Sequence, residues 1–166
     1  MGSSLEETTD IGPVASKDQY EKVNEFKDLA KKEARVIVEH EGEAGNGYYI
    51  HPLVVSDVDR SHSLMQDEIF GPVVVLYQVK AYEEAIEAAN DTAYGLSAAI
   101  FTENLTYAHR FLKDAQAGMV RVNLETAGVE YQAPFGGMKM SSSYLREQGK
   151  AALDFYTQIR TCTINF

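Results

Sequence analysis

Residues 66–79 read QDEIFGPVVVLYQV and place two carboxylates and an aromatic ring ahead of Gly71-Pro72. That dipeptide is a turn signal, and Val73-Val74-Val75-Leu76 is the signal of a buried strand. A carboxylate at the strand mouth, Asp67 or Glu68, could accept two hydrogen bonds from a sugar diol, and Phe70 could pack on a flat ring. The same residues equally describe a solvated turn with a core phenylalanine. Further on, Ala133-Pro134-Phe135-Gly136-Gly137 could shape a pocket wall, because adjacent glycines let the backbone approach a ligand closely. It could also be an ordinary tight turn. Neither stretch is a phosphate loop, since no G-x-G-x-x-G and no G-x-x-x-x-G-K-[ST] occurs in the chain.

Other reactive chemistry is thinly represented. Cys162 is the lone cysteine, with only Arg160 beside it, so it reads as a packed residue of the tail and not as a nucleophile. One cysteine excludes an internal disulfide framework and a Cys-rich zinc site, and fits a reducing cytosol. His40, His51, His62 and His109 never fall at a metal-ligand spacing such as H-x-x-x-H, so no metal is expected. Arg146-Glu147 reads as a charge pair at the start of the last helix. Fifteen Lys and Arg against 25 Asp and Glu give a net charge of −10. Such acidity repels a phosphate backbone and an anionic membrane surface, so neither nucleic acid nor membrane is an expected partner. No apolar run reaches the roughly 18 residues of a membrane span. The opening MGSS lacks a signal pattern, and the chain is expected to be soluble and cytoplasmic.

These residues need elements to position them. Ser16-Lys17-Asp18-Gln19 reads as a capping box opening an amphipathic helix over 17–34, with Tyr20, Val23, Phe26, Leu29 and Ala30 at helical spacing. A short strand at 36–38, a Gly-rich loop EGEAGNG and a strand over 48–55 follow. Strand 73–79, helix 82–90, strand 96–101, helix 104–115 and strand 118–122 then alternate regularly. On the second helix Tyr107, Ala108, Phe111, Leu112 and Ala115 form the apolar face. This alternation predicts an α/β fold with a mainly parallel sheet and flanking helices, whose ligands gather beyond the carboxyl ends of the strands. Residues 123–146 are one long irregular stretch, which in a compact domain points to function. A helix from 147 to about 156 precedes a tail whose imperfect alternation predicts an edge strand seeking a partner subunit.

Four motifs in the same order carry a resemblance. DIGPVASKDQYEKV (10–23), DEIFGPVVVL (67–76), NDTAYGLSAAIFT (90–102) and APFGGMKMSSSYLREQG (133–149) together resemble the C-terminal portion of the NAD(P)-dependent aldehyde dehydrogenase superfamily, from about Asp10 to the end. The resemblance implies that Glu68 holds the nicotinamide ribose hydroxyls and that Phe70 lies beside the nicotinamide ring. It implies that Phe135, with Val129, lines the substrate tunnel for a small aldehyde. Glu147 would lie near the proton-relay region in an accessory role, and the closing strand, residues 157–166, would serve oligomerisation. Residues 1–9 stand apart as a leader, leaving 10–156 as the C-terminal part of a catalytic domain. Ser141-Ser142-Ser143-Tyr144-Leu145-Arg146-Glu147 departs from the usual S-G-x-G-R-E and resembles the α-ketoglutaric semialdehyde dehydrogenase branch.

The family's L-E-L-G-G general-base motif, its G-Q-x-C nucleophile loop and its Gly-rich cofactor-binding half are not in this sequence. In the family a cysteine thiolate attacks the aldehyde, hydride passes to NAD or NADP, and a Glu-activated water releases the acid. The expectation is therefore a chain that supplies cofactor clamps, a tunnel wall and an assembly surface. It would lack activity alone, bind no cofactor tightly alone, and partner a cofactor-binding half and further copies of itself. A subunit of a split dehydrogenase, or a stand-alone association domain, are the alternatives.

Overall fold

The computed structural model describes residues 1–40, 42 and 46–166, so the expected EGEAGNG loop lies largely outside the described residues. The chain divides into two compact units, residues 1–78 and 79–166.

In the first unit Ser16 caps α1 (Lys17–Glu33), its Oγ accepting from the Gln19 N–H at 3.2 Å. Val23, Lys27 and Ala30 recur on one face and are buried, against a core that includes Ile50, Leu53, Val55, Leu64 and Ile69. Lys27 buries its stem, while its ammonium donates to the His51 carbonyl at 2.7 Å and lies 3.8 Å from Glu39. Burial lowers the Lys27 pKa despite that carboxylate. Three strands form a sheet in the order β1 (Arg35–Glu39), β2 (Leu53–Ser56), β3 (Val73–Leu76). β1 pairs antiparallel with β2, with a bulge between Val36 and Val38, and β2 pairs parallel with β3. The crossover between β2 and β3 contains α2 (Ser63–Gln66), a single turn capped by His62, whose Nδ1 accepts from the Leu64 N–H.

β2 begins five residues later than the sequence predicts. Pro52 has no N–H to give a ladder, and the Tyr48 carbonyl is taken by the Val14 N–H at 2.9 Å. β3 likewise ends at Leu76 and not at 79. Its side chains alternate, with Val73 and Val75 against the α1 core while Val74 and Leu76 are exposed.

In the second unit α3 (Tyr82–Asn90) and α4 (Leu105–Asp114) follow the predicted ranges closely. Asn104 caps α4 by accepting from the Thr106 and Tyr107 N–H groups. Tyr82, Phe111 and Ala115 pack with Ile86, Ala98, Ile100 and Val120. Leu112, predicted on that face, is exposed, and Tyr107 stacks on Tyr82 with centroids 5.2 Å apart. β5 (Ser97–Ile100) pairs parallel with β6 (Met119–Val122) through α4, the βαβ unit that the alternation predicts. β4 (Tyr94–Gly95) pairs antiparallel with β7 (Met138–Lys139), a strand the sequence did not reveal.

The α/β class thus holds, with one mixed sheet, one antiparallel pair and one parallel pair among the described residues. The last helix, α5 (Ala151–Tyr156), begins four residues later than predicted because Gln148 and Gly149 have φ of 68° and 53°. Glu147 therefore lies ahead of the helix and not in its first turn. Residues 157–166, expected as a strand, form no ladder in the single chain, where Ile159 is 97% exposed. Cys162, expected to pack in that tail, is exposed too. Among the described residues no helix is long and apolar enough to cross a membrane.

Leu53 is fully buried, so Leu53→Ala should cost about 3 kcal/mol in urea unfolding, whereas Val74→Ala on the exposed face should cost about 0.5 kcal/mol or less.

Candidate functional site

The segment 67–71 is gripped by helix α1. Gln19 Nε2 donates to the carbonyls of Ile69 at 2.9 Å and Phe70 at 2.6 Å, and Lys22 Nζ donates to the carbonyl of Glu68 at 2.7 Å. Ile69 is buried between the two grips as an apolar anchor. The last residue of the segment, Gly71, has no room for a side chain, since a Cβ there would come within 2.5 Å of both Val23 methyls. Phe70 is left with φ of +56°, a conformation that a bulky residue adopts only when its surroundings impose it. Its ring is not a core ring, being 71% exposed. The Glu68 carboxylate is exposed and has no hydrogen-bond or ion-pair partner among the described residues. The arrangement therefore presents an acceptor carboxylate and an open aromatic face on a backbone that is held at three consecutive carbonyls.

In the second unit the structure brings Phe135 and Glu147 together. Their backbones form a reciprocal antiparallel bridge, Phe135 N–H to Glu147 O at 2.6 Å and Glu147 N–H to Phe135 O at 2.8 Å. Phe135 is half-buried and Glu147 exposed. Gly118, at the entrance to β6, makes the placement possible, because a Cβ there would lie 1.9 Å from the Gly136 carbonyl oxygen. Lys139 ties the same loop to the end of α3, donating to the carbonyls of Asn90 at 2.6 Å and Thr92 at 3.0 Å. Ser141 Oγ accepts from the Gly95 N–H at 3.0 Å. Two of the sequence motifs, 90–102 and 133–149, are thus stitched together by side chain to backbone bonds.

Val129 lies on the other loop of this unit, in an open cavity of about 450 Å³ whose lining includes Arg121, Leu124 and Pro134. In the first unit an open cleft of about 680 Å³ lies beyond the carboxyl ends of β2 and β3, lined by Arg35, Ser56, Asp57 and Tyr77 among others. None of the residues singled out in the sequence lines that cleft.

Residues 1–162 match the model of the aldehyde dehydrogenase family. The chain belongs to the aldehyde dehydrogenase family. It is 47% identical over 166 residues to an alpha-ketoglutaric semialdehyde dehydrogenase of Bacillus subtilis, covering 97% of this chain and 34% of that protein. It is 43% identical over 158 residues to the alpha-ketoglutarate semialdehyde dehydrogenase of Haloferax volcanii, covering 92% of this chain and 33% of that protein. Among solved structures, the NAD+ complex of an aldehyde dehydrogenase from Bacillus cereus superposes with a TM-score of 0.83 at 39% identity, over 93% of this chain and 31% of that one. The chain therefore spans about a third of the length of the curated relatives it matches.

For this aldehyde dehydrogenase chain, the residues that sequence reasoning missed are those acting on backbone. In the sequence Gln19 reads as part of a capping box, and half of that box exists, because Ser16 does accept from the Gln19 N–H. The Gln19 side chain, however, reaches across to Ile69 and Phe70. A glutamine three residues after a serine carries no signal that separates these two uses. Removing it leaves two carbonyls short of a donor, so Gln19→Ala should lower stability by about 1 kcal/mol, and Gln19→Glu, which offers acceptors only, should be no better. The backbone 15N order parameters at 68–71 should fall in both variants.

Proposed function

We propose that this chain is the C-terminal part of an NAD(P)-dependent semialdehyde dehydrogenase, with α-ketoglutaric semialdehyde as the favoured substrate. The observation that carries the reading is the Glu68–Phe70 segment. An unpartnered carboxylate stands two residues from an open ring, on a strained backbone that α1 holds in place. These residues fit a nicotinamide riboside, whose ribose offers two adjacent hydroxyl donors and whose ring offers a flat face. The chemistry that NAD(P)+ supplies when bound is two-electron acceptance from the aldehyde carbon.

In this reading Glu68 accepts from the ribose hydroxyls and Phe70 packs beside the ring. They fix the distance across which the aldehyde carbon is oxidised, and their contribution is one of orientation. Phe135 and Val129 form one wall of the tunnel that admits the aldehyde. Glu147, bridged to Phe135, is an accessory carboxylate near the path by which protons leave. The thiol nucleophile and general base belong to the cofactor-binding two thirds of such an enzyme, which works in the cytoplasm. The 166 residues alone are then inactive. The exposed apolar tail, with Ile159, Ile164 and Phe166, favours a second reading, association with further copies of the chain.

The test is a chimera in which residues 1–166 replace the matching third of the Bacillus subtilis relative. It should reduce NAD(P)+ in the presence of α-ketoglutaric semialdehyde, and Glu68→Gln should lower kcat by on the order of 100-fold through lost orientation. Turnover by the 166-residue chain alone, or indifference of an active chimera to Glu68→Gln, would overturn the assignment. Deleting 157–166 should reduce the mass seen by light scattering towards that of a monomer, and an unchanged mass would remove the assembly role of the tail.

A further inference from the structure

The segment that carries Val129 has an unusual means of support. From Leu124 to Val129 no backbone group is hydrogen-bonded to another backbone group among the described residues. Three of its carbonyls are instead held by one side chain. Arg121 Nη1 donates to the carbonyls of Glu125 at 2.9 Å and Ala127 at 2.8 Å, and Nη2 donates to the carbonyl of Gly128. The guanidinium has no ion-pair partner among the described residues, so its bonds are all to this segment.

The chemistry suits arginine alone. A planar fork of fixed N–H groups can meet several carbonyls that lie in different directions, whereas an ammonium is a single point of donors on a flexible stem. Arg121 itself is well anchored, since β6 pairs it opposite Ala99 in β5. Gly128, with φ of +69°, then turns the chain so that Val129 and Arg121 line the same cavity.

We propose that Arg121 is a positioning residue that sets the conformation of segment 125–129 and thereby determines which aldehydes the tunnel accepts. This rests on the semialdehyde dehydrogenase reading, in which Val129 faces the substrate. Arg121 acts through that segment and does not touch the reacting atoms. Its loss leaves the cofactor side of the site intact and loosens one wall of the tunnel.

Two measurements test it. In the 166-residue chain, Arg121→Met should lower the backbone 15N order parameters at 125–129 towards those of a flexible loop while the β5 and β6 amides keep their protection from hydrogen exchange, which also reports that the variant folds. Arg121→Lys should not restore that order. In the chimera, Arg121→Met should raise KM for the semialdehyde on the order of tenfold with a much smaller change in kcat, and should leave the KM for NAD(P)+ unchanged. The ratio of kcat/KM between the semialdehyde and a short apolar aldehyde should shift with it. Unchanged order parameters at 125–129, wild-type behaviour of Arg121→Lys, or an unshifted ratio in an active chimera would overturn the proposal. A chimera that is inert even with Arg121 in place would instead overturn the enzymatic reading and the specificity role with it.

Discussion

The carbonyls of irregular backbone have no ladder to satisfy them, and in this chain long side chains do that work. Gln19 and Lys22 hold the carbonyls of residues 68–70, Lys27 holds that of His51, Lys139 those of Asn90 and Thr92, and Arg121 those of Glu125, Ala127 and Gly128. A carbonyl left without a partner costs a sizeable fraction of a small domain's stability, so these donors decide which loop conformations persist. Each donor is based in a regular element or, for Lys139, in the short β7 pairing. The loops consequently inherit the rigidity of the elements behind them.

The same arrangement explains why Phe70 can sit at positive φ. Strain of this kind persists only where the surroundings over-determine it. Here the surroundings are a hydrogen-bonded carbonyl on Phe70 itself, a buried Ile69 before it, and a Gly71 after it that Val23 will not let carry a side chain. The helix that buries Val23 in the core is also the helix that bears Gln19 and Lys22. Core packing and loop conformation in the first unit are therefore parts of one device.

Much of the fold was legible because periodicity is a property of the elements themselves. α3, α4, β5 and β6 could be read from apolar spacing to within a residue or two. The misplacements have local causes. Pro52 withholds a ladder donor and delays β2, and the positive φ of Gln148 and Gly149 delays α5. α2 is a single turn, too short to show a period. In the site, the motifs pointed to Glu68, Phe70, Phe135, Val129 and Glu147, and the geometry around them came only from the structure. Gln19 and Arg121 were opaque for one reason. A side chain that donates to backbone many residues away, or around a loop, leaves no spacing by which to find it.

The long loop that carries Val129 is closed off at both ends. At one end Asn123 behaves like an added strand residue, its amide accepting from the Thr102 N–H at 2.8 Å and donating to the Thr102 carbonyl at 3.0 Å. At the other, Phe135 and Glu147 exchange backbone bonds, and Gly118 presses against Gly136. Stations fixed in this way make the intervening residues a cassette. Its length and composition can change at the modest entropic cost of a longer loop, without altering the path by which the chain enters and leaves. A protein of this design can diversify what it grips while its scaffold stays still.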